Sequence, residues 1–238
     1  MTQGGARTAV VTGASRGIGA VVALSLAAAG IRVALLARNR KLLDKKASEA
    51  GADSFAIECD VTDDVSVEKA VTRLREELGD APDIIVNNAG LFTIRPVEET
   101  SQEEFDRIVA TNLRAPFRLV KEFLPAMRAR GSGHIVTIGS VGDRHIFAGN
   151  SAYSATKYGQ RAIHEVLREE TRGTGVRATL ISPAAVDTDI WEPIQFIGTD
   201  VRPDRSGMLA PDAVGAAVVF AVTQPPEVNV DELRLSRS

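Results

Sequence analysis

Six runs of nearly continuous Val, Ile, Leu and Ala recur along the chain, each followed by a Gly, Asn, Asp or Ser turn and then a longer stretch with helical periodicity. The runs are RTAVVT (7–12), RVALLA (32–37), SFAIEC (54–59), DIIVNN (83–88), HIVTIG (134–139) and VRATLI (176–181). Strands that are apolar on both faces must be covered on both faces, as happens in a parallel sheet flanked by helices. Helical segments fit the gaps at 17–29, 40–50, 63–78, 101–130, 151–173 and 211–223, and PPEVNVDELRL near the C-terminus reads as a turn and a seventh strand. The expected architecture is one α/β domain over residues 1–238, a doubly wound, seven-stranded parallel sheet with helices on both faces. Residues 187–210 break the rhythm, being rich in Pro, Gly and Asp yet carrying Trp191, Ile194, Phe196 and Ile197. They read as a lid over a substrate or as a surface loop packed on its own side chains.

Composition removes several classes of function. Lys and Arg number 28 against 31 Asp and Glu, a formal charge of −3, which leaves no basic excess for nucleic acid. The start, MTQGGARTAVVTG, lacks the basic-then-apolar plan of a signal peptide, and AVVALSLAAAG is too short to span a bilayer. A soluble, cytoplasmic protein without a membrane partner is expected. The single cysteine, Cys59, excludes an internal disulfide and a cysteine-built zinc site, and His134, His145 and His164 have no metal-ligand spacing, so no metal is expected.

The first strand hands directly to TGASRGIG (12–19), which opens the first helix. Gly13 and Gly17 permit backbone geometry and close approach that a Cβ would block. Gly19 lets helix and strand pack closely, and the helix N-terminus offers free N–H groups to a pyrophosphate. A glycine trio is weak evidence alone; between a strand and a helix it has the context a dinucleotide site requires.

The spacing Gly-x-x-x-Gly-x-Gly resembles that of the short-chain dehydrogenase/reductase family in its classical branch. Further matches follow in order: CDVTD (59–63), NNAG (87–90), and Asn112, Ser140, Tyr153 and Lys157. The resemblance runs from about residue 7 to residue 188 and implies a Rossmann-type fold. It implies that Ser15, Arg16 and Ile18 join the three glycines at the cofactor, that Asp60 and the Val61 backbone meet the adenine, and that Asn87, Ala89 and Gly90 form the fourth-strand signature. It implies too that SPAAVDT (182–188) faces the nicotinamide through Pro183, Val186 and Thr188. One departure stands there: Ala184 replaces the family's usual glycine.

In such sites a carboxylate ending the second strand binds the ribose 2′-OH of NAD, whereas a nearby Arg accommodates a 2′-phosphate. The second strand here ends in Ala37 followed by Arg38, without an acid, and Arg16 lies in the glycine loop. Two guanidiniums converging on one dianion predict NADP(H).

Tyr153 and Lys157 sit four apart on a helical segment and so share a face. A free phenol has a pKa near 10, and an adjacent ammonium favours its ionised form, so Lys157 is expected to tune Tyr153 as a proton donor and acceptor. Ser140, at a strand C-terminus, is placed to hold a carbonyl oxygen beside it. Pro116, four residues after Asn112, cannot donate to the Asn112 carbonyl; the resemblance implies that a water held there passes protons to Lys157.

Together these readings predict an NADPH-dependent carbonyl reductase and alcohol dehydrogenase with catalytic Asn112, Ser140, Tyr153 and Lys157, acting on a small carbonyl or alcohol compound. The family resemblance, with the small residues Ala152, Ala155, Gly159 and Ala162, predicts a homodimer or homotetramer. A non-catalytic NADP(H)-binding redox sensor is the alternative. Arg95 and Arg144 are candidates to meet an anionic substrate, and His145 is a candidate for the substrate rim.

Overall fold

The computed structural model describes residues 6–192 and 204–238. Seven parallel strands, β1 (Thr8–Thr12), β2 (Arg32–Ala37), β3 (Phe55–Glu58), β4 (Ile84–Asn87), β5 (Gly133–Ile138), β6 (Val176–Pro183) and β7 (Glu232–Leu235), form one sheet in the order β3-β2-β1-β4-β5-β6-β7. Strand side chains alternate between faces, so Ala9 and Val11 of β1 enter one apolar layer and Val10 the other. Helices α1 (Gly17–Ala28), α2 (Arg40–Ala50) and α7 (Pro211–Thr223) close the first layer through Val22, Leu26, Leu43 and Val218. The second is closed by α3 (Asp64–Leu78), α5 (Ala115–Arg130) and α6 (Ser151–Thr171), through Leu74, Leu119, Phe123 and Leu167. Burying one such side chain contributes roughly 1.5–3 kcal/mol. Helices of this length are marginal alone, so the two layers hold them in place.

Local caps fix where helices begin. Asn39 accepts from the Leu42 N–H and Asp63 from the Ser66 N–H. The first helix differs: Arg16 precedes it without capping it, and no acidic residue stands in its first turn. Its N-terminal N–H groups therefore keep an anion-seeking end.

The segment 101–130, expected as one helix, is three pieces: α4 (Gln102–Val109), a π-helical turn (Ala110–Arg114) and α5. Pro116 has no N–H to give the carbonyl four residues back, and the backbone widens by one residue just before it.

The strand order reverses between β1 and β4, so a crevice opens beyond their carboxyl ends. Residues 193–203 of the expected lid, including Ile194, Phe196 and Ile197, lie outside the described residues. On either side of them, the Asp187 N–H donates to Leu209 O (2.9 Å) and the Leu209 N–H to Ala185 O (2.8 Å). Among the described residues no helix is long and apolar enough to cross a membrane.

Candidate active site

A groove of about 1020 Å³ fills the crevice, and one end of it is the glycine loop. Gly13 has φ +68°, and a Cβ there would stand 2.9 Å from the Ala89 Cα. A Cβ on Gly19 would run into Gly13 O and Asn88 Nδ2. The loops after β1 and β4 are thus drawn together, and hydrogen bonds lock them: Asn88 Nδ2 donates to Thr12 O (2.8 Å), while Thr12 Oγ1 accepts from the Asn88 and Ala89 N–H groups (3.0 Å each). Ser15, Arg16, Gly17, Ile18 and Gly90 also line this end.

Asn87, placed at the cofactor by resemblance, does not line the groove. Neighbouring strand residues face opposite sides, so Asn88 turns to the glycine loop and Asn87 to a small cavity behind the site. The Thr12–Asn88 lock was not foreseen, although NNAG marked its place.

Arg38, Asp60 and Val61 line the groove as well. Burial pushes the Asp60 carboxyl up, but hydrogen bonds from the Thr62 hydroxyl (2.7 Å) and N–H (2.9 Å), together with the Arg38 charge, outweigh it and hold the group below its ordinary value. Cys59 lines the groove as well, and burial raises its thiol to about 11, so it stays protonated and unreactive.

Ser140, Tyr153 and Lys157 meet at the other end. Ser140 caps a 3₁₀ turn (Val141–Asp143), its Oγ accepting from the Gly142 N–H at 3.0 Å, and the hydroxyl also engages the Tyr153 phenol. Lys157 Nζ lies 5.6 Å from the Tyr153 ring centre, so the expected shared face is present. The expected tuning is not seen in the protein alone. Desolvation pushes the phenol up to about 12, Ser140 pulling it down and Asp143 pushing it further up. Lys157 itself is brought down to about 8 by burial, against the opposing pull of the Asp143 charge, and its ammonium is engaged elsewhere, donating to Ile138 O (3.0 Å) and Gln160 Oε1 (2.8 Å).

Asn112 is fully buried and does not line the groove. Its Oδ1 accepts from the Leu91 N–H (2.7 Å), and its Nδ2 donates to Leu91 O (2.9 Å) and Thr156 Oγ1 (3.1 Å). It therefore clamps the loop after β4 to α6 one turn from Tyr153.

Pro183, Ala184, Val186 and Thr188 line the far wall. Trp191 is anchored there, its Nε1 donating to Val186 O (2.9 Å), and Phe92 stands edge-to-face with both Tyr153 (4.7 Å) and Trp191 (5.1 Å). Nothing in the sequence marks Phe92 apart from other apolar loop residues. Arg95 pairs with Glu104 (3.0 Å), and Arg144 with Asp143 (2.8 Å) and Glu232; His145 is exposed and does not line the groove. None of these three candidates lines the groove.

The short chain dehydrogenase family matches residues 7–196. The chain belongs to this family of oxidoreductases. Within it, an uncharacterized oxidoreductase of Staphylococcus haemolyticus is 34% identical over 234 residues, 98% of each chain. The glycine betaine reductase of Emericella nidulans is 37% identical over 236 residues, 95% of this chain; the chain spans only 18% of that protein's length. Among solved structures, an alcohol dehydrogenase of the archaeon Thermococcus sibiricus, complexed with 5-hydroxy-NADP, superposes with a TM-score of 0.85 at 34% identity, covering 97% of this chain and 96% of that one. The closed form of a serine dehydrogenase complexed with NADP+ gives 0.87 at 30% identity, covering 96% and 94%.

Proposed function

We propose that the chain is an NADP(H)-dependent carbonyl reductase that also runs as an alcohol dehydrogenase. The observation that carries this reading is the meeting of Ser140, Tyr153 and Lys157 at one end of a groove whose other end is an uncapped, glycine-lined helix N-terminus. That groove fits a phosphorylated dinucleotide: Arg16 and Arg38 both line it, and β2 ends in Ala37 without a carboxylate to repel a 2′-phosphate. The NADP held by the family's solved members supports the same cofactor. When bound, the dinucleotide supplies or accepts the hydride at its nicotinamide C4.

The chain's own residues handle the proton. With its pKa lifted to about 12, the Tyr153 phenol is protonated at neutral pH, the state needed to give a proton to a carbonyl oxygen. Ser140 holds that oxygen beside it. Alcohol oxidation asks the reverse, a phenolate, which the Lys157 ammonium and a second positive charge nearby would favour. Asp60, Val61, Pro183, Val186 and Thr188, all lining the groove, would hold the dinucleotide, and Asn112 holds the Leu91 loop. The Phe92–Trp191 wall, one ring of it against Tyr153, suits a carbonyl compound with an apolar body.

Residues 1–238 then form one catalytic domain, with 187–210 as its substrate loop, working in the cytoplasm as a homodimer or homotetramer. Exposed Phe105, Phe117, Tyr158 and Val166 on α4, α5 and α6 support self-association. Loss of reduced-nicotinamide absorbance with a panel of aldehydes, diketones and quinones tests the activity. Turnover that disappears in a folded Tyr153→Phe variant is the expected result. Tight NADPH binding with no turnover on any carbonyl would favour the redox sensor instead.

A further inference from the structure

We propose that Gln160 is a positioning residue for Lys157, and that one ordered water in a small cavity behind the active site holds its amide in the working orientation. The inference rests on Lys157 belonging to the active site as described above.

Lys157 is 5% exposed, and its ammonium has three N–H donors. Ile138 O and Gln160 Oε1 take two, which leaves one for the groove. An ammonium only donates, so the glutamine must present its oxygen to Lys157 and turn its NH₂ the other way. On that other side lies a cavity of about 20 Å³ between β4, β5, α5 and α6, lined by Asn87, Thr137, Gln160 and His164 among apolar neighbours including Leu113 and Pro116. That volume suits a single water.

The walls require one. Asn87 Oδ1 has no hydrogen-bond partner among the described residues, yet Asn87 is only 4% exposed, whereas the His164 ring, 3% exposed, is turned in part toward the Asp231 backbone. Burial brings His164 down to about 4, so at neutral pH its ring is neutral, one nitrogen donating and the other accepting. A water that accepts from Gln160 Nε2 and donates to Asn87 Oδ1 would relieve a group that is costly to leave unpaired. The titratable and charged groups about Lys157 are Tyr153 on its own helix, Asp143 on the turn after β5 with Arg144 and Arg161 beside that carboxylate, and, behind Gln160, His164. Gln160 is the neutral group that meets the ammonium directly.

NMR titration of ¹³C-labelled lysine in the full chain tests this without requiring turnover. Lys157 should titrate near 8 in the parent. In Gln160→Leu the buried charge loses an acceptor and the midpoint should fall by about one pH unit or more; in Gln160→Glu it gains an anion and the midpoint should rise. A crystal structure should show water between Gln160 and Asn87. If Gln160→Leu does not fold, Gln160→Met replaces it with the same expected fall. Midpoints unchanged in both variants, or moved the same way, overturn the positioning role, and a dry cavity overturns the water. A protein with these shifts but no carbonyl turnover would refute the proposed activity while leaving the role of Gln160 standing.

Discussion

Lys157 carries a cost that its neighbours set. A base whose folded value is about 8, below its ordinary 10.5, is harder to protonate in the fold than in the unfolded chain. The unfolded state then binds more protons between those values, so stability rises with pH from about 8 to about 10.5, and the penalty is fully present below 8. Replacing Lys157 with Met removes this pH dependence while leaving Ile138 O and Gln160 Oε1 without their donor, so the variant's stability relative to the parent should fall as pH rises from about 8 toward about 10.5; denaturant melts at pH 7 and pH 10 check this. Arg38 is a different case, exposed at the groove's rim. Arg38→Asp should lower kcat/KM for NADPH roughly 10- to 100-fold and raise relative use of NADH, read from initial rates with the two cofactors. The shared face of Tyr153 and Lys157 was legible because spacing is a property of the letters, and so was a groove lined by Arg16 and Arg38 with no acid ending β2. Gln160 and Phe92 were not, since a glutamine on a helix and a phenylalanine in a loop take their meaning from what the fold brings opposite them.

The π-helical turn shows what an element can hide. The apolar pattern of 101–130 is continuous, so periodicity reads one helix, while the structure spends a residue on widening the turn before Pro116. Asn112 lies in that turn and is wholly buried, with its amide on Leu91 and Thr156. Asn112→Ala strands the Leu91 backbone groups and should cost roughly 2–4 kcal/mol, lowering Tm by about 5–15 °C. Exchange of the Leu91 amide hydrogen should quicken well beyond that global loss. Strands, by contrast, were read to within a residue or two, because an apolar run flanked by turn residues has few other ways to be satisfied in a parallel sheet.

Across the whole molecule, the strand order and the groove at its reversal follow from the repeated strand–helix unit, which leaves right-handed crossovers little freedom. Self-association was read from small residues on 151–173, but Ala152 is buried and a Cβ on Gly159 would crowd Leu113, so two of the four are used within the chain. Phe105, Phe117, Tyr158 and Val166 on α4, α5 and α6 are among the large apolar side chains left exposed. Phe117→Glu, half-exposed on α5, should shift the mass measured by light scattering toward monomer while leaving the helical circular dichroism unchanged. The central claim, hydride transfer to a carbonyl carbon with Tyr153 as the proton donor, is tested most directly by reduction with NADPH deuterated at nicotinamide C4 on the transferred face. The product alcohol should carry one deuterium on its carbinol carbon, and a folded Tyr153→Phe variant should form it roughly 10²- to 10⁴-fold more slowly. Product without deuterium at that carbon, or undiminished transfer without the phenol, would contradict it.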